Sequence, residues 1–340
     1  MLGWMELSLL RSLQALLATP AAAPLQAVPM SEAELDPVDE SRPPWPGQRQ
    51  EVGAAWLNVR RTSADRDAGV VYVHGLGGSS TNWTDLAALL APTADGAALD
   101  LPGFGFSEPT DGFDFTLAAH ARVVADYLES LHRAPVHLVG NSMGGAIVLL
   151  VAAMRPDLVR SLTLISPAMP DRRPDPRRLS DPRLALAYLP LVGAPVRRQL
   201  AALGPRARAK QVIELCYADP SRFPEHRLDE LAEEHSALAG QRWATEALAR
   251  STTDLFRAWL RFGPRSLWAL ARGINVPSLV IWGARDKVVS AGRAVPTATA
   301  LRRARLLVLP DTGHVAQMER PELVARAMLG MWEHVRRDDW

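Results

Sequence analysis

The sequence predicts an α/β protein with a mostly parallel sheet covered by helices and interrupted by one helical insertion. Three observations carry this. Short apolar, β-branched runs alternate with helical patterns on both sides of a middle segment. From Pro167-Ala168-Met169-Pro170 the alternation stops, and roughly 90 residues of helical pattern without strands follow. Between them, Gly140-Asn141-Ser142-Met143-Gly144 matches G-x-S-x-G where a strand pattern gives way to a helix pattern.

The elements follow in order. Residues 1–17 are apolar but carry Glu6 and Arg11 and lack a basic start, a poor pattern for a secretory leader. Leu9, Leu10, Leu13, Leu16 and Leu17 share one helical face, which suits packing on the body, on a partner or on a membrane surface. Residues 20–50 are rich in Pro and Ala and read as a linker or extended arm, so residues 1–49 are set apart as an N-terminal helix and arm. A first core part spans 50–170. It holds strands over Ala54–Val59, Gly69–His74, Ala97–Asp100, Val136–Val139 and Leu162–Ser166, and helices over Trp83–Leu90, Leu117–Leu131 and Ala146–Met154. Residues 171–265 form the helical cap. Its charge is split: 171–210 carry a net +7 and 211–250 a net −4, a pattern of solvated faces and salt bridges or of a site for an anionic substrate. The second core part, 266–340, resumes with strands over Ser278–Trp282 and Arg305–Leu309 and a helix over Pro321–Val335.

Composition narrows the function classes. A net charge of +1 gives no concentrated basic surface for nucleic acid. The single cysteine, Cys216, excludes an internal disulfide and a multi-cysteine metal site, and reads as packing. No apolar run reaches the roughly 18 to 20 residues needed to span a bilayer. A cytoplasmic location follows as the expectation, with peripheral membrane contact through residues 1–17 left open.

A serine hydroxyl needs a base within hydrogen-bond reach and an acid that orients the base. Asp286 lies just beyond the strand-and-turn Ile281-Trp282-Gly283, and His314 stands in the corresponding place after Leu309. Taken singly, Asp286 reads as turn chemistry and His314 as a helix cap; the order Ser142, Asp286, His314 at successive strand ends reads as a triad. A tetrahedral intermediate also needs backbone N–H donors, and Leu76, in the loop His74-Gly75-Leu76-Gly77-Gly78, and Met143 are assigned to that oxyanion hole. His74 precedes this loop at a strand end and reads as structural. The glycine-rich loop Asp100 to Ser107 lacks a P-loop context and reads as a floor to the site.

Together these motifs resemble the capped α/β-hydrolase superfamily over roughly residues 50 to 337: His74-Gly75, the D-x-P-G-x-G-x-S loop at 100–107, the elbow at 140–145, the acid turn at 283–286, and Gly313-His314. The resemblance implies a mostly parallel eight-stranded-type sheet with helices on both faces and a cap inserted after strand 6. It also implies a serine esterase or lipase-like enzyme without metal or cofactor, acting on small to medium hydrophobic esters, with Gly75 and Met169 in the substrate pocket. Epoxide hydrolases and dehalogenases of this fold are disfavoured, since they carry aspartate where Ser142 stands. Three alternatives stay open. The elbow is similar to that of meta-cleavage-product C–C hydrolases, whose substrate carboxylate Arg172 or Arg197 could meet, although Gly75-Leu76-Gly77 departs from their Gly-Pro-Gly loop. An acyltransferase would use the same triad, and a non-catalytic ligand-binding member could retain it.

Overall fold

The computed structural model describes residues 26–63, 69–171 and 204–340. The leucine face at 1–17, Arg172, Arg197 and most of the basic run at 171–210 lie outside the described residues.

Eight strands make one sheet: β1 Gly47–Val52, β2 Ala55–Arg61, β3 Val70–Val73, β4 Gly96–Leu99, β5 Val136–Asn141, β6 Val159–Ile165, β7 Ser278–Gly283 and β8 Ala304–Leu309. Their order is β1-β2-β4-β3-β5-β6-β7-β8, and a two-residue strand, Glu108–Pro109, adds to β2. β1, β2 and β4 pair antiparallel; every later pairing is parallel. The helical insertion follows β6, as the family resemblance implies.

Alternation within each strand decides what lies on each face. Val71, Val73, Leu138, Leu162, Leu164, Val280 and Trp282 face one layer, which holds α2 (Leu117–Glu129) and α3 (Met143–Met154). Val70, Tyr72, Val139, Ile165, Leu279 and Ile281 face the other, with α1 (Thr84–Leu90) and the C-terminal helix Pro321–Arg337. Both faces are dry, so the parallel strands read as unbroken apolar runs.

Two elements differ from the sequence reading. β1 runs across the boundary set at residue 49. Its residues Gly47 to Glu51 are mostly exposed and polar, so this edge strand lacked an apolar signal, and its pairing with β2 around Gly53, at φ 52, supplies the order instead. Residues 26–46 form no helix or strand, yet they are strapped to the body. Val28, Leu35, Val38 and Trp45 pack on the second layer, Ser31 Oγ donates to Glu333 Oε1 at 2.5 Å, and Arg326 donates to the carbonyls of Ser31 and Ala33, both at 3.1 Å.

The described part of the insertion is helical: α4 Pro205–Cys216, α5 Glu225–Leu238 and α6 Ala244–Leu260. Three short helices follow before the C-terminal one: α7 Leu267–Gly273, α8 Ala294–Ala300 and α9 Ala316–Glu319, with Pro321–Arg337 as α10. Much of the acidic charge of 211–250 goes into ion pairs, among them Glu230 with Arg227 at 3.2 Å, and Glu225 and Asp229 with Arg206, while Arg227 also reaches Asp85 of α1 at 3.0 Å. Among the described residues no helix is long and apolar enough to cross a membrane.

Candidate active site

β5 ends at Asn141 and α3 begins at Met143, so the whole strand-to-helix turn falls on Ser142. Its φ of 55° and ψ of −119° are costly for any residue with a Cβ, about 1–3 kcal/mol. Neighbours hold it there. Ser142 N–H donates to Ile165 O at 3.1 Å, and Ser142 O accepts from Ala146 N–H at 3.2 Å and Ala168 N–H at 2.9 Å. The flanking glycines answer a packing demand: a Cβ on Gly140 would overlap the Gly144 backbone, and one on Gly144 would overlap the carbonyls of Val73 and His74. That close approach seats α3 directly on β3. The helix therefore starts three residues earlier than its apolar run suggested, because Gly144 and Gly145 belong to its first turn.

Asp286 and His314 are brought together by two loops in backbone contact. A Cβ on Gly283 would overlap the Thr312 and Gly313 carbonyls, and Arg285 N–H donates to Thr312 O at 3.0 Å. Asp286 Oδ1 accepts from Val288 N–H at 2.8 Å and Val289 N–H at 2.9 Å, and Oδ2 accepts from His314 Nδ1–H at 2.9 Å. The Asp286 side chain has no exposure and that of His314 has 5%. Three donors orient the carboxylate, and the Nδ1 proton leaves Nε2 as the basic nitrogen of the neutral ring.

A third link is one the sequence reading passed over. Asn141 Nδ2 donates to both Ile165 O and His314 O, each at 3.1 Å, so the residue beside Ser142 also carries the histidine loop. Its only sequence signal is its place as the variable residue in the elbow motif.

The loop after β3 completes the surround. Gly78 N–H donates to Gly75 O at 3.1 Å, closing a turn with Gly77 at φ 70°, and a Cβ on Gly75 would stand 3.0 Å from Ser142 Cβ. Gly75 thus lies against Ser142, with half-buried Leu76 next along the turn. Met143 is the first residue of α3, and a helix cannot satisfy its own first N–H groups. Met169 is fully buried in the same core cluster as Met143. His74 is structural, as read from sequence: its Nδ1–H donates to Gly75 O at 2.7 Å and its Nε2 accepts from Leu101 N–H at 2.9 Å. Burial lowers its pKa, partly opposed by Asp100, and the neutral ring is the form that makes both bonds. Asp100 anchors the floor loop, accepting from Ser80 N–H at 2.6 Å, Asn58 Nδ2 at 2.8 Å and Phe106 N–H at 2.9 Å.

The cap joins the body beside this pair. His314 N–H donates to Cys216 O at 2.6 Å, at the end of α4. Glu319 accepts from Gly313 N–H at 2.7 Å, Ala218 N–H at 3.2 Å and Asp219 N–H at 3.3 Å, while Lys287 Nζ donates to Glu214 O at 3.2 Å and Tyr217 O at 3.1 Å. The neighbours of both Asp286 and His314 are thereby tied to the root of the cap. Burial pushes the Cys216 thiol up to about 12, which leaves it an inert packing residue. A groove of about 1000 Å³ runs nearby between the arm, α5 and α10, lined by Glu40, Asp85, Arg227, Glu234 and Glu319, but neither Ser142 nor His314 lines it. Among the described residues no group of three or more His, Cys, Asp or Glu side chains is placed to hold a metal ion.

Fold and site together define a class: α/β proteins with a serine at a strained strand-to-helix turn and a hydrogen-bonded histidine–aspartate pair on the loops of later strands. Residues 70–321 match the family described as alpha/beta hydrolase fold, and the chain belongs to that family. It is 32% identical over 292 residues to the dihydrolipoyllysine-residue acetyltransferase component of the acetoin cleaving system of Pseudomonas putida, covering 86% of this chain and 70% of that one. The component of the same name from Cupriavidus necator is 30% identical, with 74% of this chain and 60% of that one covered. The mouse monoacylglycerol lipase ABHD6 is 22% identical over 79% of this chain and 77% of its own. Among solved structures, a membrane phospholipase A described as a bacterial virulence factor superposes with a TM-score of 0.68 at 25% identity, covering 85% of this chain and 86% of that one.

Proposed function

We propose that this α/β hydrolase is a serine enzyme that cleaves carboxylic esters bearing small to medium apolar acyl groups. Ser142 Oγ attacks the acyl carbon while His314 Nε2 takes its proton, and Asp286 holds the resulting imidazolium. The N–H groups of Leu76 and Met143 receive the oxyanion. His314 then protonates the departing alcohol, and a water activated by the same nitrogen cleaves the acyl-enzyme. Gly75 keeps the approach to Ser142 open, and Met169 forms part of the apolar wall under the acyl chain.

The observation that carries this reading is the His314–Asp286 hydrogen bond, with the Asp286 carboxylate buried, set beside Ser142 through the two bonds of Asn141. A protein that only bound ligands would not need the tautomer so enforced. The lipase and phospholipase names among the similar proteins support an ester substrate. The acetyltransferase name keeps acyl transfer as a second reading with the same first half-reaction.

The test is labelling of the full chain by a fluorophosphonate beside Ser142→Ala, with turnover of p-nitrophenyl esters of increasing chain length. Labelling at Ser142 and a fall in turnover of roughly 10⁴-fold or more in the variant are expected. Labelling without ester turnover would move the assignment to acyl transfer or carbon–carbon hydrolysis, and absence of labelling would overturn it.

A further inference from the structure

Three acids of the cap helix α5 pair with arginines: Glu225 and Asp229 with Arg206, and Glu230 with Arg227. Glu234, on the same helix, turns to the body instead. Its Oε2 accepts from Thr81 Oγ1–H at 3.0 Å, across 153 positions of sequence. Thr81 has one hydroxyl proton. With that proton on Glu234, the Thr81 oxygen is the acceptor in its 2.7 Å bond with Ser79, and Ser79 Oγ–H is the donor. Ser79 Oγ in turn accepts from Thr81 N–H at 3.3 Å, and Ser79 N–H donates to Asn82 Oδ1 at 3.2 Å, the capping box of the short 3-10 helix Ser80–Trp83. The carboxylate therefore fixes the direction of each hydroxyl in the chain Ser79–Thr81–Glu234.

That chain begins where the turn beside Ser142 ends. Buried Ser79 follows Gly78, whose N–H donates to Gly75 O at 3.1 Å, and the turn so closed carries Leu76. The body holds the next residue from below: Ser80 N–H donates to Asp100 Oδ1 at 2.6 Å, and Ser80 Oγ accepts from Arg60 Nε at 3.1 Å. From above, the cap supplies Glu234. Burial raises the pKa of this carboxyl and the nearby Asp100 charge raises it too, opposed by the Ser79 and Thr81 hydroxyls and by Arg60. A half-buried carboxylate held by neutral hydroxyls gains less than one paired with a guanidinium. What it does provide is a fixed acceptor at the far end of the oxyanion loop.

We propose that Glu234 is a positioning residue: through Thr81 and Ser79 it lets the cap helix α5 set the turn that presents the Leu76 N–H to Ser142. The inference rests on the oxyanion role proposed for Leu76 and adds that the hole is completed from the cap. A small displacement of that N–H weakens its bond to the oxyanion and leaves substrate contacts in place, so the effect falls on kcat rather than on KM.

The experiment compares the full wild-type chain with Glu234→Ala, Glu234→Gln, Thr81→Val and the double variant Glu234→Ala/Thr81→Val by two readouts. The first is the rate of fluorophosphonate labelling of Ser142, in which the phosphoryl oxygen takes the place of the oxyanion, together with kcat and KM on a p-nitrophenyl ester. The second is hydrogen exchange of peptides covering residues 75–83, with residues 283–290 as the control. Glu234→Ala and Thr81→Val should each label about tenfold more slowly with KM within about twofold, and the double variant should lose no more than either. Glu234→Gln, whose amide oxygen still accepts from Thr81, should recover most of that loss. Exchange at 75–83 should rise about tenfold in Glu234→Ala, with 283–290 unchanged. Labelling of Glu234→Ala at the wild-type rate, a loss confined to KM, additive losses in the double variant, an unrescued Glu234→Gln, or exchange that rises equally in both segments would overturn the proposal. A wild type that is not labelled would instead sink the serine reading, and the exchange comparison would still decide whether Glu234 sets this turn.

Discussion

The loops around Ser142 and the helices above them are held by different physics. On the body side the constraints are buried and aimed at backbone: Asp100 on Ser80 and Phe106 N–H, His74 on Leu101 N–H, Asn141 on two carbonyls, Asp286 on Val288 and Val289 N–H. Losing one such partner leaves a buried donor unpaired, at about 1–3 kcal/mol. On the cap side many ties are exposed ion pairs. Arg242 with Asp111 at 3.4 Å has side chains 72% and 96% exposed, and such pairs contribute about 0–1 kcal/mol. The geometry around Ser142 is thus set by the body, while the cap's exposed ion pairs add little and its firmer ties run through Glu319, Lys287, Trp259 and Ser251.

Four measurements would break or sharpen that contrast. The largest expected effect is at the carboxylate: Asp286→Asn should cost roughly 10⁴-fold in turnover by reversing the tautomer of His314, with melting temperature little changed. Retained turnover would remove the body-side triad from the account. Next, Asp100→Ala should destabilise by about 3 kcal/mol in denaturant titration, since it strands the N–H donors of Ser80 and Phe106 and the Asn58 amide. Arg206→Ala, which breaks the exposed pairs to Glu225 and Asp229, should stay within about 0.5 kcal/mol. Equal costs would erase the distinction.

A third effect concerns acid. Burial holds the imidazoles of His120 and His137 down to about 3 in the folded protein, against an ordinary 6.5. Above that ordinary value neither state binds the proton; as pH falls below it the unfolded chain binds protons that the folded chain refuses. Stability should therefore drop between about pH 6.5 and 3, by about 2 kcal/mol per histidine at pH 5. His137→Gln should flatten the acid limb of a melting-temperature series, and an unchanged limb would refute this cause. The last expected effect is at the joint: Glu319→Gln should lower kcat roughly tenfold through the Gly313 N–H while leaving KM within about twofold. A change confined to KM would make Glu319 part of substrate binding instead.

The parallel strands and the three candidate triad residues were legible because their signals are local: apolar runs of strand length, and glycines within three residues of Ser142, Asp286 and His314. β1 was missed because an edge strand needs only its partner's hydrogen bonds, and Gly47 to Glu51 carry no apolar pattern. The start of α3 was misplaced because Gly144 and Gly145 weaken a helical pattern that close packing on β3 nevertheless requires. Asn141, Glu319 and Lys287 were silent for a common reason. Asn141 reaches backbone carbonyls 24 and 173 positions away, and Glu319 and Lys287 reach backbone atoms of the cap root 70 to 101 positions away, and nothing in single-sequence spacing encodes such a contact.

The turn at Ser142 also bears on how this chain can change. A residue with φ of 55° and ψ of −119° is one that glycine would occupy without penalty. Ser142→Gly should therefore melt above the wild type, by an amount set by about 1–3 kcal/mol of released strain, while losing the hydroxyl. On the proposed function, the serine at this turn gives up that stability in exchange for its hydroxyl.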